Sequence, residues 1–151
     1  MKIKIPSHNG RPVTRVQRES LVECARGMVG VPWQHMGRNR QGLDCAGLLI
    51  LAIHEAMGAW VEVSDYSPWP DMATMRRICN EALLRKDFKR LSFGDVALMY
   101  APGLGVVHLG WFTGGTLIHA DNSPSIKRVT EGRVDLSWIL RGAYEVPQYE
   151  A

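Results

Sequence analysis

Val31-Pro32-Trp33-Gln34-His35-Met36-Gly37-Arg38-Asn39-Arg40-Gln41-Gly42-Leu43-Asp44-Cys45-Ala46-Gly47-Leu48 carries a cysteine from a glycine-bearing loop into an apolar run. Up to Gly42 it is rich in loop residues. Beyond Asp44 it runs into Leu49-Ile50-Leu51-Ala52-Ile53, an apolar segment that can anchor a helix in a core. The pattern predicts a helix from about Cys45 to Met57, stopped by Gly58. Cys45 then sits in its first turn, where the positive end of the helix dipole favours thiolate. The expectation is an activated thiol that alkylates near neutral pH well ahead of Cys24 and Cys79.

Outward from that helix the chain reads as one domain spanning residues 1–151. At 151 residues it can bury a core without disulfide or metal staples. Three cysteines, an odd number, argue against a disulfide framework. Cys24 and Cys79 lie in helical-looking stretches and read as small core hydrophobes. A net charge of +3 is mild, and no Lys/Arg run with interleaved aromatics marks a nucleic-acid surface. The amino terminus alternates Lys and Ile and then meets Pro6, without an apolar signal core. Nothing later in the chain is long enough to span a membrane. The expected location is therefore the cytoplasm, or a larger particle that carries the protein out.

The first half of the chain is helical in texture. Thr14 to Met28 places Val16, Leu21, Val22, Ala25 and Met28 mostly on one face, with Gly30 and Pro32 ending the run. Ser67-Pro68-Trp69-Pro70 is a rigid loop leading to a third helix, about Met72 to Leu84, with Asp71 as N-cap. From Leu91 the texture becomes that of strands: Val96–Tyr100, Val106–Phe112 and Thr116–Ala120, with Ile126–Thr130 and Leu140–Glu145 as two more. Helices first and antiparallel strands after is an α+β layout, N-terminal helices on a C-terminal antiparallel sheet. Neither parallel βαβ alternation nor a Gly-rich phosphate loop is present.

Thr113-Gly114-Gly115-Thr116 is a two-residue hairpin turn, because both glycines tolerate positive φ. With those glycines as the turn, Trp111 faces Ile118, Gly110 faces His119 and His108 faces Asp121. His108 and His119 then share one sheet face as diagonal neighbours at roughly 7–8 Å. Two imidazoles so placed suit a general base and a group that orients it, with Cys45 as the nucleophile. The bland alternative is a pair of structural strand histidines. A third reading joins Cys45, His108 and His119 as zinc ligands, but no HxxxH or CxxC spacing supports it, and no metal or cofactor is expected. His8, in a polar terminal segment, and His54, on the second helix, read as structural or solvated.

These residues resemble the NlpC family of bacterial cell-wall cysteine peptidases, a papain-like group. That family carries Asp-Cys-Ser-Gly at the start of its catalytic helix, after a Pro-Tyr-x-Trp-Gly-Gly loop. This chain has Asp44-Cys45-Ala46-Gly47-Leu48 after Pro32-Trp33-Gln34-His35-Met36-Gly37. The family's Gly-Asp, His-x-Gly and His-Ala pieces match Gly94-Asp95-Val96, His108-Leu109-Gly110 and Ile118-His119-Ala120 in order and spacing, over about Glu19 to Tyr144. The His-x-Gly-Arg form, His35-Met36-Gly37-Arg38, looks most like the branch encoded in phages and gene transfer agents. By this resemblance the fold is papain-like, Cys45 is the nucleophile, His108 the general base and His119 the orienting third residue. The implied partner is the peptidoglycan stem peptide, together with phage tail proteins, and the implied bond is γ-D-glutamyl to a diamino acid. No nucleic acid or membrane is implied.

Departures from the family bear on the substrate. Asp44 matches an aspartate that can hold a substrate amine, and it equally reads as the N-cap of its helix. Trp33 stands where the family has tyrosine, and indole N–H donates but does not accept. His35 replaces a tryptophan and is a candidate for a polar role at the cleft, beside the alternative of a packed loop histidine. Ala46 replaces the usual serine. Arg38 and Arg40 read as solvated loop charges ahead of ligands for substrate carboxylates. Two rivals to the peptidase stay open: a tail-assembly protein of the same fold with little or no catalysis, and a thiol amidase or acyltransferase of other specificity.

Overall fold

Every residue from Ala46 to Ile53 is buried, so the apolar run is the central helix of the molecule rather than a surface one. The structure, a computed structural model, describes residues 1–102, 105–133 and 138–151. In chain order its elements are β1 (Lys2–Lys4), β2 (His8–Pro12), α1 (Arg15–Arg26), β3 (Arg38–Asn39), β4 (Gly42–Leu43), α2 (Cys45–Met57), β5 (Glu62–Ser64), α3 (Met72–Ala82), β6 (Leu84–Lys86), β7 (Val96–Ala101), β8 (Val106–Phe112), β9 (Thr116–Asp121), β10 (Arg128–Arg133), β11 (Ile139–Glu145) and β12 (Pro147–Tyr149). Six strands form one antiparallel sheet in the order β10-β9-β8-β7-β11-β6, and β1-β5, β12-β2 and β3-β4 are two-stranded pairs. The layout is α+β, as the sequence implied. Among the described residues no helix is long and apolar enough to cross a membrane.

Local chemistry sets the helix limits. Thr14 and Gln17 close a capping box at the start of α1, Asp44 caps α2 through Gly47 N–H, and Asp71 caps α3 through Thr74 N–H. Gly58 ends α2 with φ of 76°, the left-handed conformation glycine adopts without a Cβ clash. Two expectations need correction. Val16 is 74% exposed and does not join the core face of α1, which is built from Leu21, Val22 and Ala25. The third helix ends at Ala82 rather than Leu84, because Leu83 turns extended and the next residues pair with β11 as β6.

The sheet has two different faces. Val96 and Leu98 of β7, Leu109 and Trp111 of β8, and Ile118 and Ala120 of β9 join the helices in the main core. Trp111 Nε1 donates to Leu48 O at 3.5 Å, which places α2 against that side. The alternate residues Ala97, Met99 and Leu117 form a second, smaller cluster with Leu91, Trp138 and Leu140. Asp95, wholly buried, joins the layers: it accepts from Arg18 of α1 at 2.5 Å, Lys86 of β6 at 2.7 Å and Ser92 N–H at 2.7 Å. The Gly94-Asp95 piece of the sequence is thus a structural clamp.

Candidate active site

Cys45 opens α2 and lies half-buried at the wall of a cleft of about 680 Å³. The loop before it folds tightly over the first helical turn. Gln34 N–H donates to Leu43 O at 3.1 Å and Leu43 N–H to Pro32 O at 3.0 Å. A methyl on Gly47 would stand 2.0 Å from the Gly37 carbonyl oxygen, so only glycine lets the loop approach this turn. Trp33 lines the cleft with its backbone N–H on Lys127 O at 2.9 Å and the Lys127 ammonium 4.8 Å over its ring.

The hairpin register is the expected one: Phe112 opposite Leu117, Trp111 opposite Ile118, Gly110 opposite His119. Pairing ends there, so the expected His108–Asp121 pair does not form. His108 pairs only with β7, opposite Met99. The two histidines share a face, and their rings meet edge to face with centroids 5.1 Å apart. Gly110 is what permits this, because a Cβ there would lie 2.4 Å from Ile118 O and 2.9 Å from His119 Cβ. Trp138, unremarked in the sequence, stacks on His108 at 4.2 Å with an interplanar angle of 14° and meets the His119 ring edge-on at 5.1 Å.

The register also shows that the histidine pair belongs to the Met99 and Ala97 face, not to the face that α2 covers. His108 still borders the cleft that Cys45 lines, together with Val106 and Val107. The thiol and the imidazole therefore border one cleft from different elements, the start of α2 and β8. Among the described residues no hydrogen bond joins Cys45 Sγ to a histidine nitrogen. His119 Nε2 lies 3.5 Å from Thr130 Oγ1, and its buried Nδ1 has no partner among the described residues.

Electrostatics at the resting site run against the expectation of a thiolate. Burial, reinforced by the Asp44 charge, pushes the Cys45 thiol up to about 12. The nearby N–H groups of Ala46 and Cys45 and the Arg38 charge pull the other way and lose. Burial lowers His108 against an opposing pull from Asp121. It lowers His119 to about 4, with the neighbouring His108 adding to the effect and Asp121 opposing it. At neutral pH the resting site holds a thiol and two neutral imidazoles.

Beside Cys45 lies a polar network that the sequence did not announce. Asp44 Oδ1 accepts from Gly47 N–H at 2.8 Å and Arg38 Nη1 at 3.1 Å. Asp44 Oδ2 accepts from Met36 N–H at 2.8 Å and the Tyr66 hydroxyl at 2.5 Å. Arg38 Nη2 also donates to Val63 O at 2.8 Å and Tyr66 Oη at 3.0 Å. Arg38 is thus no solvated loop charge; its side chain is mostly buried. Arg40 does pair at the surface, with Glu55. His35 packs edge-on to the Tyr66 ring at 5.4 Å, with Nδ1 3.9 Å from Asp44 Oδ2. Ala46 is buried, so the missing serine hydroxyl faces protein. Cys79 is fully buried, while Cys24 is only partly so. His8 accepts locally from Gly10 N–H at 3.0 Å, and His54 packs on Trp60 at the surface.

This architecture is shared with known structures. The chain has the NlpC/p60 fold. It superposes on the NlpC/p60 domain of the peptidoglycan hydrolase SagA with a TM-score of 0.60 and 22% identity, over 85% of this chain and 98% of that one. NlpC2 from Trichomonas vaginalis matches with a TM-score of 0.64 and 15% identity, over 91% of this chain and 50% of that one. An NlpC/p60 family protein from Bacillus cereus matches with 0.62 and 19%, over 93% and 42%. The chain thus spans half or less of the latter two. No family model matches the sequence, and no curated protein matches it closely enough to count as a relative. What these NlpC/p60 structures have in common with the chain is fold.

Proposed function

We propose that this chain is a cysteine peptidase that hydrolyses amide bonds in peptidoglycan stem peptides, of the γ-D-glutamyl–diamino acid type, and that it acts as part of a phage-like particle. The observation that carries the reading is one cleft bordered by both Cys45, at the start of a buried helix, and His108, whose ring is packed against His119. The likeness to the SagA domain, a peptidoglycan hydrolase, supports the substrate class. The particle rests on the Arg38-bearing loop and its resemblance alone.

In the proposed reaction Cys45 Sγ attacks the amide carbonyl carbon while its proton passes to His108. The N–H groups at the start of α2 face the oxyanion. His108 returns the proton to the departing amine as the C–N bond breaks and a thioester remains. Water then attacks the thioester carbon and gives a proton to His108, which passes it to Cys45 Sγ as the C–S bond breaks, restoring the thiol and the neutral imidazole. His119 and Trp138 hold the His108 ring.

The raised thiol favours one rival, a particle protein of the same fold without catalysis. A digest of purified peptidoglycan, analysed by mass spectrometry for wild type beside Cys45→Ala, separates the two. New amine and carboxyl termini within stem peptides, absent with the variant, are expected. Identical digests would leave the structural role.

A further inference from the structure

We infer that Trp138 is a positioning residue for the proposed base, and that its indole face favours the proton-bearing form of the His108 ring. The inference rests on the peptidase reading and deepens it. His108 borders the cleft that Cys45 lines, whereas Trp138 is not among the described residues on that wall. Trp138 therefore acts through His108 rather than on a substrate. It also packs, half-buried, against Ala97, Met99 and Leu117, which hold it in place from the far side of the sheet.

The geometry of the pair sets it apart. His8 on Tyr149, His35 on Tyr66, His54 on Trp60 and His119 on Trp138 all meet edge to face, at interplanar angles of 79–89°. Among the described residues only His108 lies flat on an aromatic ring, at 14° and 4.2 Å from the Trp138 centroid. A flat contact presents the negative face of the indole to the imidazole, so it strengthens when His108 gains a proton. His119 gives no matching help through a hydrogen bond. Its Nε2 lies 3.5 Å from Thr130 Oγ1 and its buried Nδ1 has no partner among the described residues. The ring contacts are thus left to do what a bonded third residue does for a catalytic imidazole. Around His108 burial opposes a positive charge and Asp121 of β9 favours it. The other titratable groups nearby are His119, Tyr100 of β7, and Cys45, Asp44 and Asp71 along the cleft. Removing the indole leaves all of these in place, so the change in His108 titration reads the contact itself.

The test titrates the histidine rings of the full chain by NMR, with His108 assigned by its loss in His108→Gln. Trp138→Leu supplies apolar cover without an aromatic face. In it His108 should take up its proton about 0.4 to 1.5 pH units lower than in wild type. A side chain that only fills space predicts the reverse, because the smaller leucine admits water to the ring. An unchanged or raised titration therefore overturns the inference. Trp138→Phe keeps an aromatic face and should recover about half of the difference or more; a phenylalanine variant that matches leucine also overturns it. If Trp138→Leu does not fold, 5-fluorotryptophan in place of all five tryptophans weakens each ring face at nearly constant shape. His108 should again titrate lower, and no movement overturns the inference. With a γ-D-glutamyl-diaminopimelate peptide, kcat of Trp138→Leu should fall about threefold to thirtyfold while KM stays within about twofold. An unchanged kcat beside a lowered titration overturns the role in the reaction. A wild type that cleaves no stem peptide removes the peptidase reading, while the titrations still decide the contact between the rings.

Discussion

Alkylating the protein with iodoacetamide across pH 6 to 10 probes the charge state on which the site depends. Burial and Asp44 hold the Cys45 thiol at about 12, against about 8.5 for a free cysteine. At pH 7.5 a free thiol is about one-tenth thiolate, whereas Cys45 is about three parts in 10⁵, a difference of roughly 3,000-fold. A thiolate–imidazolium pair with His108 does not rescue it. His108 lies below its ordinary 6.5, so moving the proton costs at least ~5.5 units, or ~7.5 kcal/mol. Even a pair brought into contact at ~4 Å would return only about 4 kcal/mol at an effective dielectric of 20. The ion pair in that limit is still a minor species, a few parts in a thousand. Trypsin places the three cysteines on separate peptides: Glu19–Arg26, Gln41–Arg76 and Ile78–Arg85. Quenched samples therefore give three rates by mass spectrometry. The Cys45 rate should stay below that of half-exposed Cys24 at pH 7.5 and climb tenfold per pH unit through pH 10. A Cys45 rate that is already high and level from pH 6 to 8 would refute the argument, because it would require a resident ion pair.

Other expectations follow from the histidine pair and its hairpin. His119 titrates at about 4 when folded and at about 6.5 when unfolded. The unfolded state thus takes up a proton first as pH falls, so stability is intact above pH 6.5 and declines from there to pH 4. The loss approaches 2.5 units, or ~3.4 kcal/mol, and levels off below pH 4. Urea midpoints at pH 7, 5 and 4 should show it, with His119→Gln flattening the trend. An equally steep trend in the variant would assign the loss to other groups. Gly110→Ala should cost about 1–3 kcal/mol in urea unfolding, because the new methyl meets the Ile118 carbonyl at 2.4 Å and must push β8 from β9. An unchanged urea midpoint would show that the close approach is not rigid.

Where the sequence carries a local signal, the structure follows it closely. The helix α2 has its predicted limits, since Asp44, the apolar run and Gly58 each act within a turn of the chain. The Gly114-Gly115 turn gives the register of β8 and β9 correctly for the same reason. β1, β2, β5, β6 and β12 run for only three to five residues, too few for alternation to stand out in the sequence, and their pairing partners are distant in the chain. The Arg38–Asp44–Tyr66 network was equally hidden, because the ion pair forms only once the loop folds over α2 and β5 brings Tyr66 alongside. The choice of face is legible in the sequence. Leu109, Trp111, Ile118 and Ala120 alternate with His108, Gly110 and His119, and the large apolar set is the one a helical layer covers.

That choice of face bears on how the proposed chemistry works. An imidazole on the helical side would be packed among the core residues around α2. On the other side His108 is stacked on Trp138 and meets His119 edge to face, so its ring is held by aromatic contacts and reaches the cleft where β8 and β9 have ceased to pair. Both histidines are neutral at rest, yet they are not equivalent proton acceptors. Asp121 partly offsets burial at His108, whereas His119 bears burial and the repulsion of a charged His108 together. A proton released from Cys45 therefore settles on His108, and His119 stays neutral beside it. In the proposed mechanism that asymmetry suits His108 to the role of base and His119 to that of orienting residue, without a carboxylate in the third place. The cost of separating the thiol from its proton is then met during attack, as the sulfur's charge passes to the carbonyl oxygen near the α2 N–H groups. Under the proposed mechanism such a site would keep a neutral, unreactive thiol until an amide occupied the cleft.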